Sequence, residues 1–348
     1  MDYTSSPLIH KLRAMEINRI TMQEIRQVED ILPGGSIEYN DLTSIKVTGS
    51  IPYIDGLDIG NNYLRIWLDT TDINNVTESL ALGTFLISTP TATVTPAKVS
   101  GDADLYSVLQ ILNDSALREP LTIPIGTIAV TYATNLVLNA GLSVMAQDSA
   151  AMLSTNKVFD AGISKLDIIN ELLQVAGFDS AEVDGFGNVL LRSYLDPTGT
   201  SPSLTLDTGS RTILLPELSH ELDIFSVPNV YVAVMSNDNN TMVAIAINAD
   251  PANRYSTVSR GREIVEVESV SDIASQTLLQ EYAENTLRLK TTAVESITIK
   301  HLFIPYNAGD TVRVIAGGLD FVGSVANRKV TLDKTMLVES RIRKFVRF

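Results

Sequence analysis

The sequence predicts a mainly β protein with α+β character, in which two β modules flank an α+β module. Three observations predict it. From Ser36 to Ser88 apolar residues alternate with polar ones, the period of half-buried strands. Between Leu105 and Ala176 the spacing changes to that of amphipathic helices. From Val230 onward alternation returns, interrupted by one long helical stretch. The expected boundaries are 1–100 for the first β module, 101–205 for the α+β module and 206–348 for the second β module with its long helix.

Taken in order, the N-terminal segment fits a short helix through Leu8, Leu12 and Met15, while Ile17, Ile20, Met22 and Ile25 suit helix and strand equally. Pro33-Gly34-Gly35 breaks the chain. Ile45, Val47, Gly49, Ile51 and Tyr53 then alternate, and after a turn at Asp58–Asn62, Leu64, Ile66 and Leu68 alternate with Tyr63, Arg65 and Trp67. Leu82–Ser88 is a further strand, and short strands with turns between them suggest a small barrel or sandwich. Thr89–Ser100 is rich in Thr, Pro and Ser and reads as a linker or a long crossover.

Leu105, Val108, Leu109 and Leu112 mark a helix that Asp102 or Asp104 could cap. Thr127–Ala140 is helical with Gly141 as its stop. Ser164-Lys-Leu-Asp167 opens another helix in the manner of a capping box, burying Leu166, Ile169, Leu173 and Ala176 and ending at Gly177. Asp184-Gly185 turns into a strand over Val189–Tyr194, and Asp196–Pro202 breaks the chain again. Val230–Met235 and Met242–Ile247 read as a hairpin. The long helix spans about Asp272–Arg288, with Ala274, Leu278 and Tyr282 on one side and Glu284 paired with Arg288. Strands follow through Ile297, Ile299 and Phe303, after the Asn307–Asp310 turn, and over Leu337–Phe348, where Val338, Ser340 and Ile342 form the buried side.

Composition narrows the function classes. A formal net charge of −15 repels nucleic acid. It fits plain solubility, and it also fits a channel wall that DNA slides past. With no cysteine, the chain has no disulfide, thiolate metal site or thiol nucleophile. No apolar run has the roughly 18 residues of a membrane span, and the N-terminus lacks an apolar signal core. Synthesis in the cytosol, without an ordinary export signal or stable membrane insertion, is expected. Hydrophobic residues at 45% can fill real cores, while charged residues at 19% leave surface for partner subunits or simply reflect a large core.

Catalytic patterns do not emerge. His10, His220 and His301 are too far apart for a zinc helix, and there is no nucleophile elbow or phosphate loop. His301 reads as a structural histidine, with a catalytic base as the alternative. Gly185-Phe-Gly187 is a hairpin turn in preference to a phosphate cradle. Asp179–Gly185 fails as a calcium loop because Ala181 and Val183 occupy ligand positions. No catalytic, metal or cofactor residues are therefore assigned. Two basic groups stand out on an acidic chain: Arg260 and Arg262, following Arg254, and the C-terminal Arg341, Arg343, Lys344 and Arg347. They are candidate contacts with an acidic subunit or partner, or else a charged edge that opposes aggregation.

The ordered motifs resemble a known family. They are Pro33–Ile37, Ser44–Ser50, Tyr63–Trp67, Leu82–Pro90, Ser164–Asn170, Asp184–Tyr194, Arg260–Arg262, and His301–Pro305 followed by Gly309–Val312. In order and spacing the set is similar to the baseplate hub and tail-tip proteins of phages and prophage-like particles of Gram-positive bacteria, over nearly the whole chain. The resemblance implies a non-enzymatic homotrimer. Each chain would supply two small β-barrels to a pseudo-sixfold ring, with the α+β module between them. The ring would join the tail tube to the tip and surround the channel for tape-measure protein and DNA, which passes without specific binding. Implied partners are further copies of the chain, the tail tube protein, distal tail or other baseplate proteins, the tape-measure protein, and a spike or lytic protein at the tip. Many relatives continue into a lytic region, whereas this sequence ends at Phe348, so any cell-wall cleavage is expected of a separate protein. A peptidoglycan-processing enzyme would instead show a convergent acidic cleft, and a carbohydrate-binding adhesin an exposed aromatic platform.

Overall fold

The computed structural model describes residues 1, 3, 8–54, 57–95, 99–194, 200–208, 213–222, 225, 227–237, 240–270, 275–292 and 295–344. The first third is all strand: β1 (Ile9–Ile17), β2 (Glu24–Gln27), β3 (Ser36–Asn40), β4 (Val47–Ile54), β5 (Tyr63–Thr71), β6 (Thr77–Val94) and β7 (Val99–Ser107). The helix expected through Leu8 and Met15 is therefore a strand. Along β1, Ala14 packs in the core of this sheet and Ile17 in that of the middle module, so its apolar residues serve two faces. The linker expected over Thr89–Ser100 is largely strand too. β6 runs on to Val94 and returns as β7, with Val94 opposite Val99.

The middle of the chain holds α1 (Leu109–Asp114), β8 (Leu121–Ile123), α2 (Ala129–Asn139), β9 (Val144–Ala146), β10 (Lys157–Phe159), α3 (Lys165–Val175), β11 (Glu182–Val183) and β12 (Val189–Leu191). The first helix begins four residues later than Leu105, which belongs to β7, and its cap position is Val108 instead of an aspartate. Gly141 and Gly177 end α2 and α3 at φ +77° and +70°, where glycine carries no Cβ penalty. Ser164 caps α3 by accepting from the Asp167 N–H at 3.0 Å and donating to its carboxylate at 2.6 Å. Leu166, Ile168, Ile169, Leu172 and Leu173 are buried against α1 and α2 in one core.

The remainder contains β13 (Leu204–Asp207), β14 (Leu214–Leu222), β15 (Val230–Asn237), β16 (Asn240–Ile247), α4 (Thr257–Arg260), β17 (Val265–Val270), α5 (Gln276–Thr292), β18 (Glu295–Leu302), β19 (Thr311–Ala316), β20 (Leu319–Thr331) and β21 (Leu337–Lys344). The expected break at Asp196–Pro202 and the ends of the long helix and last strand, at Asp272–Ala274 and Phe345–Phe348, fall wholly or partly outside the described residues. The buried side of α5 is Leu279, Ala283 and Leu287, one step round from the expected Leu278, which is 49% exposed. Glu284 accepts from Gln280 at 2.9 Å.

One 13-stranded sheet joins the two ends of the chain, in the order β14-β18-β21-β20-β3-β4-β7-β6-β5-β1-β2, with β19 and β13 branching from β20. The junction is the antiparallel pair β3–β20, with Ile37 opposite Val330. No closure into a barrel is seen: among the described residues the path stays open, with β14 and β2 at its ends. Two apolar cores lie along it, one around Leu64, Phe85 and Leu105, the other around Ile299, Val314 and Ile342. In β21, Val338, Ser340 and Ile342 are fully buried, as their alternation with charged residues requires.

A separate three-stranded sheet, β16-β15-β17, carries α5 on one face. Tyr231, Ala233, Met235, Ala244 and Ala246 pack under that helix.

Candidate functional site

The basic residues singled out in the sequence lie in two places. Arg341 and Arg343 sit on the outward side of β21, opposite the buried Val338–Ile342 row. Arg341 reaches across β18 to donate to Glu221 on β14 at 2.8 Å, and donates to the Ser296 hydroxyl of β18 at 3.2 Å. Both ends of this ion pair are solvent-exposed, so its stabilisation is small. Arg343 is half-buried, and its side chain makes no hydrogen bond or ion pair among the described residues. Burial, and then the neighbouring Arg341, pull its pKa down against the opposing effect of Asp41. The backbone of Lys344 pairs with Glu295 and Gly323. Its side chain and Arg347 fall outside the description. Arg260, the last residue of α4, and Arg262, in the loop from α4 to β17, lie instead beside the small sheet. Arg260 donates to the Val227 carbonyl at 2.8 Å and stacks on Tyr255, while Arg262 stacks on the exposed Phe225 at 4.8 Å.

The alternation in β5 suggested a strand with one solvent face. Both faces are in fact covered. Leu64, Ile66 and Leu68 enter the sheet core, while Tyr63 enters the core of the middle module and Arg65 is buried. The cover is the turn Asp184–Gly187. Arg65 donates to the Phe186 carbonyl at 3.0 Å and to the Thr84 hydroxyl at 2.9 Å, and Thr84 donates to the Gly185 carbonyl at 2.9 Å. Burial lowers the pKa of Arg65, with Glu24 and Asp184 opposing. The Trp67 ring meets Phe186 edge to face at 5.7 Å and donates to Glu24 at 3.0 Å, so it is engaged within the chain and does not form a free platform. A Cβ on Gly185 would stand 2.1 Å from the Ala81 carbonyl oxygen. The Gly-Phe-Gly sequence is thus a docking turn, pressed onto the sheet by backbone approach.

Beside this turn lies a cavity of about 640 Å³, lined by residues of the middle module, the first strands and the 305–310 turn. At one end Lys46 donates to Asp41 at 2.8 Å and contacts Glu182 at 3.5 Å. Asp179 is pushed up by burial, with Lys46 opposing and Glu182 and Asp41 reinforcing. At the other end Arg328, 3% exposed, is stacked against Tyr39, Phe303 and Tyr306 and donates to the Ile304 carbonyl at 2.8 Å. None of these roles is visible in sequence spacing, because the partners come from strands far apart in the chain.

Two histidines lie beside a hydroxyl: His10 Nδ1 is 3.1 Å from that of Thr70, and His301 is the fully buried one. Its Nε2 lies 2.6 Å from the Tyr306 hydroxyl and 3.3 Å from that of Ser340, and its Nδ1 is 2.6 Å from the Leu302 carbonyl. His301 and Ser340 are both fully buried, and the orienting partner is a carbonyl where a triad would have a carboxylate. The group is a core hydrogen-bond network. Among the described residues no cluster of three acids or histidines is placed to hold a metal.

No protein-family model and no curated protein matches the chain. Solved structures do. A tail protein from Neisseria meningitidis superposes with a TM-score of 0.73 at 14% identity, covering 96% of each chain. The 43 kDa tail protein of prophage MuSo2 from Shewanella oneidensis gives 0.67 at 10% identity, covering 96% of this chain and 97% of that one. Prophage tail protein gp18 from Listeria monocytogenes gives 0.56 at 13% identity, over 95% and 94% of the two chains. The chain therefore has the fold of phage and prophage tail proteins over nearly its whole length.

Proposed function

We propose that this chain is a structural hub at the tip or baseplate of a phage or phage-tail-like particle. Three copies form a ring that joins the tail tube to the tip and surrounds the passage for tape-measure protein and DNA. The observation that carries the reading is the fold shared with three tail proteins from end to end. In the ring each half of the 13-stranded sheet curls into one barrel-like unit, so that three chains present six to the tube. The partners are other copies of the chain, the tube, distal tail or baseplate proteins, the tape-measure protein and a spike or lytic protein. The role is scaffolding. It fits the sealed Ser340–His301 contact, and the acidic balance suits a channel that must not hold DNA. Arg260, Arg262, Arg341, Arg343, Lys344 and Arg347 serve subunit or partner contacts.

Native mass measurement tests this. The expected result is a trimer, alone or with the tube and distal tail proteins. A chain that stays monomeric in both settings overturns the ring.

A further inference from the structure

The small sheet β16-β15-β17 has one face under α5, and among the described residues the other is open except at its Val230 end, where Val230 is buried. On the open face the register forms three rows: Ile247–Val230–Val265, Ile245–Val232–Val267 and Val243–Val234–Ser269. Eight of the nine positions are β-branched aliphatics and none is charged. Val243, Ile245, Ile247, Val265 and Val267 are 45%, 51%, 55%, 52% and 63% exposed. A half-covered antiparallel strand pair ordinarily turns polar residues outward. Here both faces read as interior, the pattern of a sheet buried on two sides.

We infer that this face is the surface through which one copy of the chain packs on the next in the ring, a proposal that rests on the hub reading above. Three arguments select a second copy. The bare aliphatic area is roughly 450–500 Å², the size of the largest patches that single chains expose. Matched by an equal area on a neighbour and a polar rim, it reaches the roughly 1,000 Å² that a stable contact needs. An uncharged aliphatic centre is also the composition of permanent homo-oligomer contacts, whereas transient partners meet more polar surfaces. Finally, the chain carries −15, so two copies repel unless the contact itself is free of acid. The centre of this face is. At the Val230 end the polar border carries basic groups, with Arg254 and Arg260 stacked on Tyr255 and Arg262 on Phe225, which an acidic neighbour complements. Asn229 donates to the Arg262 carbonyl there, and Thr257 donates to the Asn248 carbonyl, which fixes the arginines beside the strand ends. Since three copies cannot close through a self-matching pair, the contact is head-to-tail.

The test is sedimentation of the full chain over a range of concentrations, parent against the double substitution Ile245→Lys and Val267→Lys. Both positions are solvent-facing in the single chain, so the variant should still fold, with the parent's circular dichroism spectrum and a cooperative melt. The expected result is a trimeric parent and a variant whose self-association is about 100-fold weaker. A trimeric parent with an equally trimeric variant overturns this surface and leaves the ring reading intact. A parent that is monomeric at every concentration overturns this surface as a contact between copies, and the ring falls with it only if the chain also stays monomeric with the tube and distal tail proteins. Should the variant fail to fold, amide exchange of the parent decides: residues 243–247 and 265–267 should gain protection as trimer forms, and unchanged exchange on trimerisation overturns the assignment.

Discussion

His301 is fully buried, and burial, with Arg328 adding to it and the Leu302 carbonyl opposing, holds its pKa down to about 4 from an ordinary 6.5. The unfolded chain takes up that proton near 6.5, so acid favours unfolding. The stabilisation from the neutral imidazole is fully present above pH 6.5 and is lost as pH falls toward 4, by about 3 kcal/mol in all. The urea midpoint should therefore drop between pH 7 and pH 4.5, and His301→Gln should flatten that dependence. A variant with the parent's slope would show that other groups cause it. Gly185 makes a second residue-scale case. Alanine there must push back the Ala81 carbonyl, so Gly185→Ala should destabilise by about 1–3 kcal/mol and loosen the 184–187 turn, which thermal unfolding and amide exchange can read. Both roles were legible only in part. The sequence identified a structural histidine and a turn, but their neighbours, Ser340 and Ala81, come from distant strands.

Among the elements, those whose apolar side is set by local chain geometry were read well. The helix after Ser164 starts at its cap and stops at Gly177, because cap chemistry and a left-handed glycine act within a few residues. Ser164→Ala should cost about 1 kcal/mol, measured by chemical denaturation. The long helix was found, but it runs over Gln276–Thr292 against the expected Asp272–Arg288, and its buried side is rotated by one position, since Leu278 and Leu279 adjoin and only packing chooses between them. Leu279→Ala should cost about 2–5 kcal/mol, whereas Leu278→Ala, on the exposed side, should cost less than about 0.5 kcal/mol; equal losses would put the interface elsewhere. The N-terminal strand was missed because Ala14 and Ile17 serve two different cores, which erases the period of two. The Thr-rich stretch was missed because its partner is its own return strand, a long hairpin of polar residues that carries no hydrophobic signal.

For the whole molecule, the two β regions were legible as regions, yet their union was not, since the β3–β20 pairing leaves no local trace. β21 lies between β18 and β20, so removing Leu337–Phe348 opens two ladders in the sheet interior. The shortened chain should lose cooperative unfolding and aggregate; a sharp transition at the parent's midpoint, followed by circular dichroism on heating, would contradict this. The same seam has a consequence for the chain while it is being made. Glu38 and Asn327 meet across it from positions 289 residues apart. At ribosomal speeds of about 5–20 residues per second, β3 waits roughly 15–60 s for its partner. During that time β4 can already hold one side of it, leaving the other side open to any passing strand. Five residues with Glu38 at the centre make a short and poorly adhesive edge, suited to a wait of that length.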